Sequence, residues 1–319
     1  MRFGLVGLGM MGRHHARILS ESTEVDFVGA VDPMGDRHGA MRSGDVFVDV
    51  KTMVERGVDA VVVAVPTTNH EHIALALAEA GVHTMIEKPL ADGVAAGERI
   101  RDAFANTEVV GCVGHVERFN SALQEMQRRV AGGDLGRVIS ISTERVGPFP
   151  HRIQDVGVVK DLATHDIDIV TWIGGAPFAE VTGQLAHKMG RPHEDLVVAV
   201  GRLENDVVAS MNVNWLTPAK RRAVTVLGQK GAYVADMLTG DLRFYSNAEI
   251  DSQWDQMAQL RGVSEGDMIQ YAFPKREPLV VEHEAFRHVI EGGEIEGVVS
   301  LDEGVRILEV AEMIIGDGE

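Results

Sequence analysis

Three closely spaced glycines near the start of the chain constrain its fold more than any other feature. Gly7, Gly9 and Gly12 directly follow an apolar, β-branched run at residues 3–6, and helical spacing begins after the third glycine. The first glycine permits a tight turn, the second lets a ligand approach the backbone, and the third lets a helix pack closely on a strand. The pattern predicts a strand, a turn and a helix whose N-terminus faces an anionic group such as a pyrophosphate.

Up to Gly114 the chain alternates short apolar runs with longer segments of helical spacing. The runs are at residues 3–6, 25–31, 60–65, 83–86 and 109–113, and the helical segments are at residues 13–19, 70–80 and 93–104. Strands that are apolar on both faces and alternate with helices form a parallel sheet covered on both sides. We therefore predict an α/β architecture that begins with a Rossmann domain over residues 1–117.

The rest of the chain, residues 118–319, has a different pattern. Helices are predicted at 121–131 and 158–173, and strands at 138–143, 178–186, 196–203, 207–215, 223–227 and 232–236. Spacers as short as residues 204–206 allow only antiparallel neighbours. We predict an α+β domain with an open-faced, mainly antiparallel sheet, whose uncovered face is closed by a second subunit in a homodimer or homotetramer.

The remaining segments of this half give weaker signals. Residues 248–276 show no clear period and are interpreted as a loop with at most a short helix. Ser300 and Glu303 form a capping-box pattern that opens a last helix ending near Gly316, and this helix can pack back on the first domain.

The charge balance excludes several classes of partner. Lysine and arginine total 30 against 48 acidic residues, which gives a net charge of −18, so nucleic acid and anionic membranes are repelled. No run of about 18 apolar residues exists to span a bilayer, and Met1 leads directly into the first strand. We therefore expect a cytoplasmic protein. The single cysteine, Cys112, lies in an apolar run and is expected to be a buried thiol without a disulfide or metal role.

An acidic residue at the end of the second predicted strand indicates which dinucleotide binds. Asp32 ends the second predicted strand, 20 residues after Gly12. A carboxylate there accepts hydrogen bonds from the ribose hydroxyls and repels a 2′-phosphate, which favours NAD over NADP. A structural aspartate beside a glycine-rich turn, or a methyltransferase site, remains an alternative. The residues expected to contact the cofactor are Gly7, Gly9, Met10, Met11, Gly12, Asp32, Pro66, Thr67, His70, Glu87 and Lys88.

Two further loops follow predicted strands at the edge of the sheet where ligands bind. In the first, Thr67 or Thr68 can cap the next helix, and His70 is interpreted as a hydrogen-bonding group at that helix start rather than a chemical one. In the second, Pro89 restrains the backbone and so directs Lys88. A lysine in a partly desolvated cleft can polarise a hydroxyl or exchange a proton with it. The alternative is a solvated loop lysine paired with Glu87.

A candidate base lies in the predicted helix at residues 158–173. At about 100 degrees per residue, Asp161 and His165 share one side of the helix, and an apolar stripe occupies the other. An aspartate one turn before a histidine can fix its tautomer and raise its basicity, so that the other ring nitrogen can accept a substrate proton. The alternatives are a surface pair or metal ligands, but no cluster offers a third ligand, so no metal is predicted.

These motifs together resemble the Gfo/Idh/MocA family of NAD(P)-dependent oxidoreductases. The resemblance rests on residues 7–17, the loop at 66–70, residues 80–89 and residues 161–168, and it covers essentially the whole chain. It implies a Rossmann domain joined to an oligomerising sheet domain, with Lys88, Asp161 and His165 as catalytic groups. The family pattern has lysine where this chain has Val82, which lies away from the chemistry.

Residues 114–120 and 145–158 look most like the branch of the family that oxidises C3 of UDP-N-acetylglucosamine or its uronic acid. The substrate contacts expected from this resemblance are His115, Arg118, Asn120, Arg145, Arg152 and Thr164. The three arginines could hold a diphosphate in fork geometry against the net negative charge, and each could equally be a salt-bridge residue.

The sequence thus predicts an NAD-dependent dehydrogenase acting on a secondary alcohol of a sugar or nucleotide sugar. An inositol or free-sugar dehydrogenase with the same catalytic groups is the alternative enzyme, and a cofactor-binding sensor without turnover is the alternative from another class. Cleavage of a glycoside through transient oxidation is a third.

Overall fold

The computed structural model describes residues 1–150, 156–248, 265–293 and 297–316. The chain divides into two compact units. The first contains Met1–Phe119 and the described residues of Glu277–Glu312. The second contains the described residues between Asn120 and Arg276 together with residues 313–316. The boundary between Phe119 and Asn120 lies two residues after the predicted boundary at residue 117. The chain also returns to the first unit from Glu277 onward, well before the last helix.

The first unit is built on a seven-stranded sheet in the order β15-β6-β5-β4-β1-β2-β3. Its elements are β1 Arg2–Val6, α1 Gly12–Glu21, β2 Asp26–Val31, β3 Asp45–Phe47, α2 Val50–Glu55, β4 Ala60–Val63, α3 His70–Glu79, β5 His83–Glu87, α4 Val94–Ala105 and β6 Gly111–Gly114, followed late in the chain by α7 Pro278–Ile290, β15 Val299–Ser300 and the first part of α8 Leu301–Gly316. β1 to β6 pair in parallel, and β15 is antiparallel to β6. The predicted Rossmann sheet is confirmed.

The centre of this sheet is apolar on both faces, as the sequence predicts. Leu5 and all of β4 are fully buried or nearly so, and α1 buries Ile18 and Leu19 against the sheet. Cys112 is buried in β6, where burial raises the pKa of its thiol well above the usual value. A buried thiol away from solvent is a packing residue.

The second unit is built on an eight-stranded sheet in the order β14-β13-β12-β11-β7-β10-β9-β8. Its elements are α5 Ser121–Ala131, β7 Val138–Pro148, a π-helix at Val159–Ala163, α6 Thr164–Gly174, β8 Phe178–Ala186, β9 Leu196–Leu203, β10 Val208–Asn214, β11 Leu216–Gly228, β12 Gly231–Asp236, β13 Asp241–Asn247 and β14 Glu265–Tyr271. Only the β7–β10 pair is parallel among the described strand pairs of this sheet. The predicted mainly antiparallel sheet is confirmed.

One face of this sheet is packed and the other is open. Ile141, Val197 and Val224 lie on the packed face, against which α5 and α6 lie, and are fully buried. On the other face Val198, at 46% exposure, and Val200, at 50%, are accessible. Alternate residues of a strand point to opposite faces, so the described residues form a sheet with one packed and one accessible surface.

Part of residues 248–276, which the sequence predicts to be a loop, forms a strand. Glu265–Tyr271 forms β14 at the sheet edge, paired with β13, whereas residues 249–264 lie outside the described residues. β14 mixes acidic, amide and apolar side chains, as edge strands often do, and so lacks a clear period.

The capping box predicted at the start of the last helix is present. The Ser300 hydroxyl accepts the Glu303 N–H at 3.2 Å, and the Ser300 N–H donates to the Glu303 carboxylate at 2.8 Å. Among the described helices, none is both long and apolar enough for a bilayer span.

Candidate functional site

The glycine turn of the first unit has the shape that a dinucleotide requires. Gly7 has a φ of +98°, and a Cβ on Gly12 would lie 1.9 Å from the Gly7 carbonyl oxygen. A Cβ on Gly9 would meet no atom within 4 Å, so the space beside this backbone is open. Met10 and Met11 are exposed, and Met11 caps α1 without a side-chain hydrogen bond. The turn therefore leaves open space beside the backbone at the N-terminus of α1, where the helix dipole favours an anionic ligand.

Asp32 is fixed at the end of β2 beside this turn. Its Oδ2 accepts the Leu8 N–H at 2.7 Å, and its Oδ1 accepts the Met34 N–H at 2.8 Å. An ionised carboxylate has about four acceptor positions, so two remain for the hydroxyls of a ribose. The open turn and the anchored carboxylate fit the adenosine and pyrophosphate portion of NAD.

The loop after β4 differs in part from its prediction. Thr67–Asn69 forms a short 3₁₀ turn, and Asn69 caps α3 without a side-chain bond, so the prediction that Thr67 or Thr68 caps this helix is wrong. The 3₁₀ turn draws both threonines into helical geometry ahead of α3. Pro66 precedes the turn.

His70 connects this loop to the loop that carries Lys88. Its ring is buried, with Nδ1 3.0 Å from the Pro89 carbonyl oxygen and Nε2 3.1 Å from that of Val65. Burial, opposed by these hydrogen bonds, lowers the pKa of His70. The residue thus links two loops at the ligand-binding edge of the sheet.

Glu87 and Lys88 end β5 at the same edge. Glu87 is buried, its Oε1 lies 2.8 Å from His15 Nε2, and its Oε2 accepts the Lys88 N–H at 3.2 Å. Burial alone would raise the pKa of Glu87, but the His15 hydrogen bond and the positive charge of Lys88 hold it below the usual value. Lys88 is half-buried. Glu87 is therefore a buried support for the Lys88 loop rather than the solvated partner of the alternative interpretation.

In the second unit, Asp161 and His165 lie on consecutive helical segments. Asp161 is half-buried in the π-helix at Val159–Ala163, and His165 lies in the first turn of α6 with 8% exposure. The apolar stripe at Ile167 and Val170 is fully buried, as predicted. The predicted single α-helix is instead a π-turn followed by an α-helix, and π-turns are frequent at functional sites.

Glu194 holds the start of this segment, and sequence reasoning missed it. Its Oε1 accepts the Val159 N–H at 2.9 Å, its carbonyl oxygen accepts the Val158 N–H at 3.0 Å, and a Cβ on Gly157 would lie 2.0 Å from its carboxylate. The carboxylate caps the helix start from 35 residues away. Because the contact is long-range, no local pattern could have indicated it.

The residues expected to bind the substrate are largely engaged in the protein. The Arg118 guanidinium donates to Glu303 at 2.9 Å, and Arg145 donates to Asp166 at 2.8 Å with both side chains essentially inaccessible to solvent. The structure therefore favours the salt-bridge alternative for these two arginines. Arg152 lies outside the described residues.

The other three have structural contacts of their own. Asn120 caps α5 by accepting the Ala122 N–H at 3.1 Å, and its amide donates to the Met237 carbonyl oxygen at 3.1 Å. The Thr164 hydroxyl donates to the Lys160 carbonyl oxygen at 3.1 Å. His115 is buried after β6. Among the described residues, no cluster of histidine, cysteine and carboxylate side chains could hold a metal ion.

Comparison with known proteins gives matches in both halves of the chain. Residues 1–115 match an oxidoreductase family with an NAD-binding Rossmann fold, and residues 123–234 match the GFO/IDH/MocA C-terminal domain. A UDP-N-acetylglucosamine 3-dehydrogenase of Acidithiobacillus ferrooxidans is 27% identical over 248 residues, 77% of each chain. An inositol 2-dehydrogenase of Saccharopolyspora erythraea is 30% identical over 224 residues, 67% of this chain and 66% of the relative.

Solved structures agree in fold. The UDP-N-acetylglucosamine 3-dehydrogenase of Acidithiobacillus ferrooxidans superposes with a TM-score of 0.84 at 24% identity, covering 99% of this chain and 97% of the other. A levoglucosan dehydrogenase in complex with NADH superposes with a TM-score of 0.83 at 19% identity, covering 100% and 96%. At these identities the likeness establishes the shared fold.

Proposed function

Since the chain belongs to the GFO/IDH/MocA family of NAD-binding oxidoreductases, we propose that it oxidises a secondary alcohol of a sugar or nucleotide sugar, with C3 of a UDP-N-acetylglucosamine-type substrate as the first candidate. The observation that carries the proposal is in the first unit, where the open glycine turn, the anchored Asp32 and the supported Lys88 all lie at carboxyl ends of parallel strands. The 27% identical relative supports this substrate class, since its name gives that activity.

In the proposed mechanism each residue has one role. The glycine turn and Asp32 hold NAD, which supplies the hydride acceptor when bound. Lys88 donates a hydrogen bond to the substrate hydroxyl oxygen and stabilises the negative charge that develops there. His165, oriented by Asp161, removes the hydroxyl proton as the carbon loses hydride. The alcohol thus becomes a ketone, and the proton remains on the imidazole until it passes to water.

A specific observation supports inositol or a free sugar as the second candidate substrate. Arg118 and Arg145 are paired with carboxylates, which leaves fewer cations to bind a diphosphate. The 30% identical relative is named an inositol dehydrogenase. A sensor without turnover is disfavoured by the presence of Lys88, Asp161 and His165.

A substrate panel tests the proposal directly. NADH absorbance is recorded while UDP-N-acetylglucosamine, its uronic acid, myo-inositol and free aminosugars are offered in turn. We expect reduction of NAD with one of these classes. Inhibition by free UDP would support the nucleotide sugar, and its absence alongside turnover of inositol would support the second candidate. If the protein binds NAD tightly yet reduces it with no member of the panel, the sensor interpretation gains support.

Replacement of Asp32 tests the cofactor preference. Asp32→Asn keeps one oxygen acceptor but removes the negative charge that opposes a 2′-phosphate. We expect the preference for NAD over NADP, measured as the ratio of kcat/KM values, to fall at least about tenfold, since this needs only about 1.4 kcal/mol of relieved repulsion.

Asp49→Asn is a matched control, because Asp49 also accepts a backbone N–H, that of Thr52 at 2.8 Å, at a helix start elsewhere in the unit. The control should keep the wild-type ratio. A wild-type enzyme that responds to NADP alone would contradict the role given to Asp32.

We also propose that the open sheet face joins subunits into a homodimer or homotetramer. Val198 and Val200, which pair with neighbouring strands on that face, are half or nearly half exposed. Exposed apolar residues grouped on one face are typical of an interaction surface. Light scattering of the intact chain measures the subunit number. The expected cytoplasmic location stays a prediction.

A further inference from the structure

A chain of buried ionisable side chains lies behind the Lys88 loop, entirely within the first unit. His15 comes from α1, Glu87 from the end of β5, and His283 from α7. His15 Nε2 is 2.8 Å from Glu87 Oε1, and His15 Nδ1 is 2.8 Å from His283 Nε2. Neither histidine is used by the mechanism proposed above.

The hydrogen-bonding rules assign a proton to each of these contacts. An ionised carboxylate only accepts, so His15 must donate to Glu87 from Nε2. The contact between His15 Nδ1 and His283 Nε2 needs one proton, and when His15 carries only its Nε2 proton, His283 donates from Nε2. Burial lowers the pKa of His283 well below the usual value, which favours its neutral form with a single N–H. Its Nδ1 has no hydrogen-bond partner among the described residues, which is consistent with the proton lying on Nε2.

A second buried carboxyl nearby shows what His15 contributes. Glu282, on α7 beside His283, is as buried as Glu87, but neither of its oxygens has a hydrogen-bond partner in the described part of the chain. Burial and the charge of Glu87 raise the pKa of Glu282 well above the usual value. Of these two buried, neighbouring carboxyls, the one that accepts an imidazole N–H has a lowered pKa and the other a raised pKa.

The remaining charged groups around Glu87 come from two elements. Lys88 is adjacent in the chain and attracts the negative charge, and His70 of α3 interacts with it across the loop. The backbone N–H of Lys88 is itself bonded to Glu87 Oε2. The charge state of this carboxyl therefore bears directly on the position and electrostatic environment of Lys88.

We propose that His15 is a positioning residue of the dehydrogenase reaction, which acts by keeping Glu87 ionised beside Lys88. The inference rests on the proposed function, in which Lys88 contacts the substrate hydroxyl. His15 does not touch the reacting atoms. It acts through Glu87, whose negative charge attracts the positive charge of Lys88 and whose Oε2 accepts the Lys88 backbone N–H.

The kinetic test compares His15→Leu with Glu87→Gln, which fixes position 87 in a neutral state. Without the imidazole donor the pKa of Glu87 rises, so the carboxyl is protonated at neutral pH and ionises again as the pH increases. We expect turnover of His15→Leu to match that of Glu87→Gln at neutral pH and to recover at high pH, whereas Glu87→Gln does not recover. The double variant should be within about twofold of Glu87→Gln, because members of one network do not add.

Two further variants separate charge from folding. His15→Gln keeps an N–H donor for Glu87 and should restore most of the wild-type pH profile. His72→Leu, at an exposed histidine of α3, should leave it unchanged. A His15→Leu profile that runs parallel to wild type at every pH, with lower turnover throughout, would show a merely structural role and overturn the proposal.

An infrared measurement makes the test independent of turnover. The difference spectrum of His15→Leu against the His15→Leu/Glu87→Gln double variant should show the carbonyl band of a protonated carboxylic acid, and this band should disappear as the pH rises. Glu282 is present in both proteins and cancels. Absence of the band overturns the proposal. If the band is present while turnover is that of wild type, Glu87 behaves as proposed and the role given to Lys88 in the proposed function fails instead.

Discussion

Replacement of His165 by alanine is expected to lower kcat by about 10²- to 10⁴-fold, the usual contribution of a positioned general base. NAD affinity should stay close to the wild-type value, because the residues that fit the cofactor belong to the first unit and His165 belongs to the second. Stopped-flow or steady-state NADH absorbance on the substrate identified by the panel measures the first quantity, and titration calorimetry measures the second.

The local structure around His165 supports this role. The side chain is 8% exposed in the first turn of α6, and the turn before it is a π-helix whose start is held by the Glu194 carboxylate. A base needs a fixed position more than it needs high exposure. The Glu194 contact and the buried stripe of α6 supply that position.

The controls distinguish loss of a base from loss of structure. His187 lies in the same unit and is exposed, so His187→Ala should keep full activity. Added imidazole should restore part of the turnover of His165→Ala by entering the space that the side chain leaves. Wild-type turnover in His165→Ala would show that another group removes the proton.

The fold of the first unit could be predicted closely because its strands are short, β-branched and buried on both faces. β5 was expected at residues 83–86 and is found at His83–Glu87. Elements too short to show a period escaped prediction: β3 has three residues, and α2 has six. α7 escaped because two of its buried positions are Glu282 and His283, which weaken the apolar stripe that would mark a helix.

Within the candidate site too, the local motifs could be predicted from the sequence and the long-range contacts could not. The glycine turn and Asp32 depend on spacing within one strand–turn–helix unit, so the sequence alone indicates them. Contacts between distant residues leave no such pattern: Glu87 meets His15 from 72 residues away, and His15 meets His283 from 268 residues away. The support for Lys88 is therefore visible only in the folded protein.

The segment at residues 161–168 contains both the proposed catalytic pair and the ion-pair partner of Arg145. Asp166, its partner, lies within residues 161–168, the segment interpreted for catalysis. In the helical pattern Asp161 and His165 share a side, and Asp166, one residue further on, points elsewhere. The sequence leaves Arg145 open between a diphosphate contact and a salt bridge, and the fold pairs it with the buried Asp166 carboxylate.

Replacement of Arg145 by leucine is expected to destabilise the second unit by about 3–5 kcal/mol, because it leaves the Asp166 carboxylate buried without its cation. Both side chains are 1% exposed or less, so water cannot replace the lost partner. Urea unfolding followed by tryptophan fluorescence, to which Trp215 contributes from a buried position in the same unit, measures the change. Arg202→Leu, which breaks exposed pairs with Glu180 and Asp206, should leave stability nearly unchanged.

The double variant Arg145→Leu/Asp166→Leu decides between the two interpretations of Arg145. Removing both charges takes away the buried, unpaired carboxylate, so most of the lost stability should return. If the arginine is structural, the KM of this refolded variant for a UDP-sugar stays near the wild-type value. If Arg145 instead binds a diphosphate, the single variant will be nearly as stable as wild type and its KM will rise for UDP-sugars alone, with inositol and free sugars unaffected. That result would show that Arg145 binds the substrate during turnover and that its pair with Asp166 is not needed for stability.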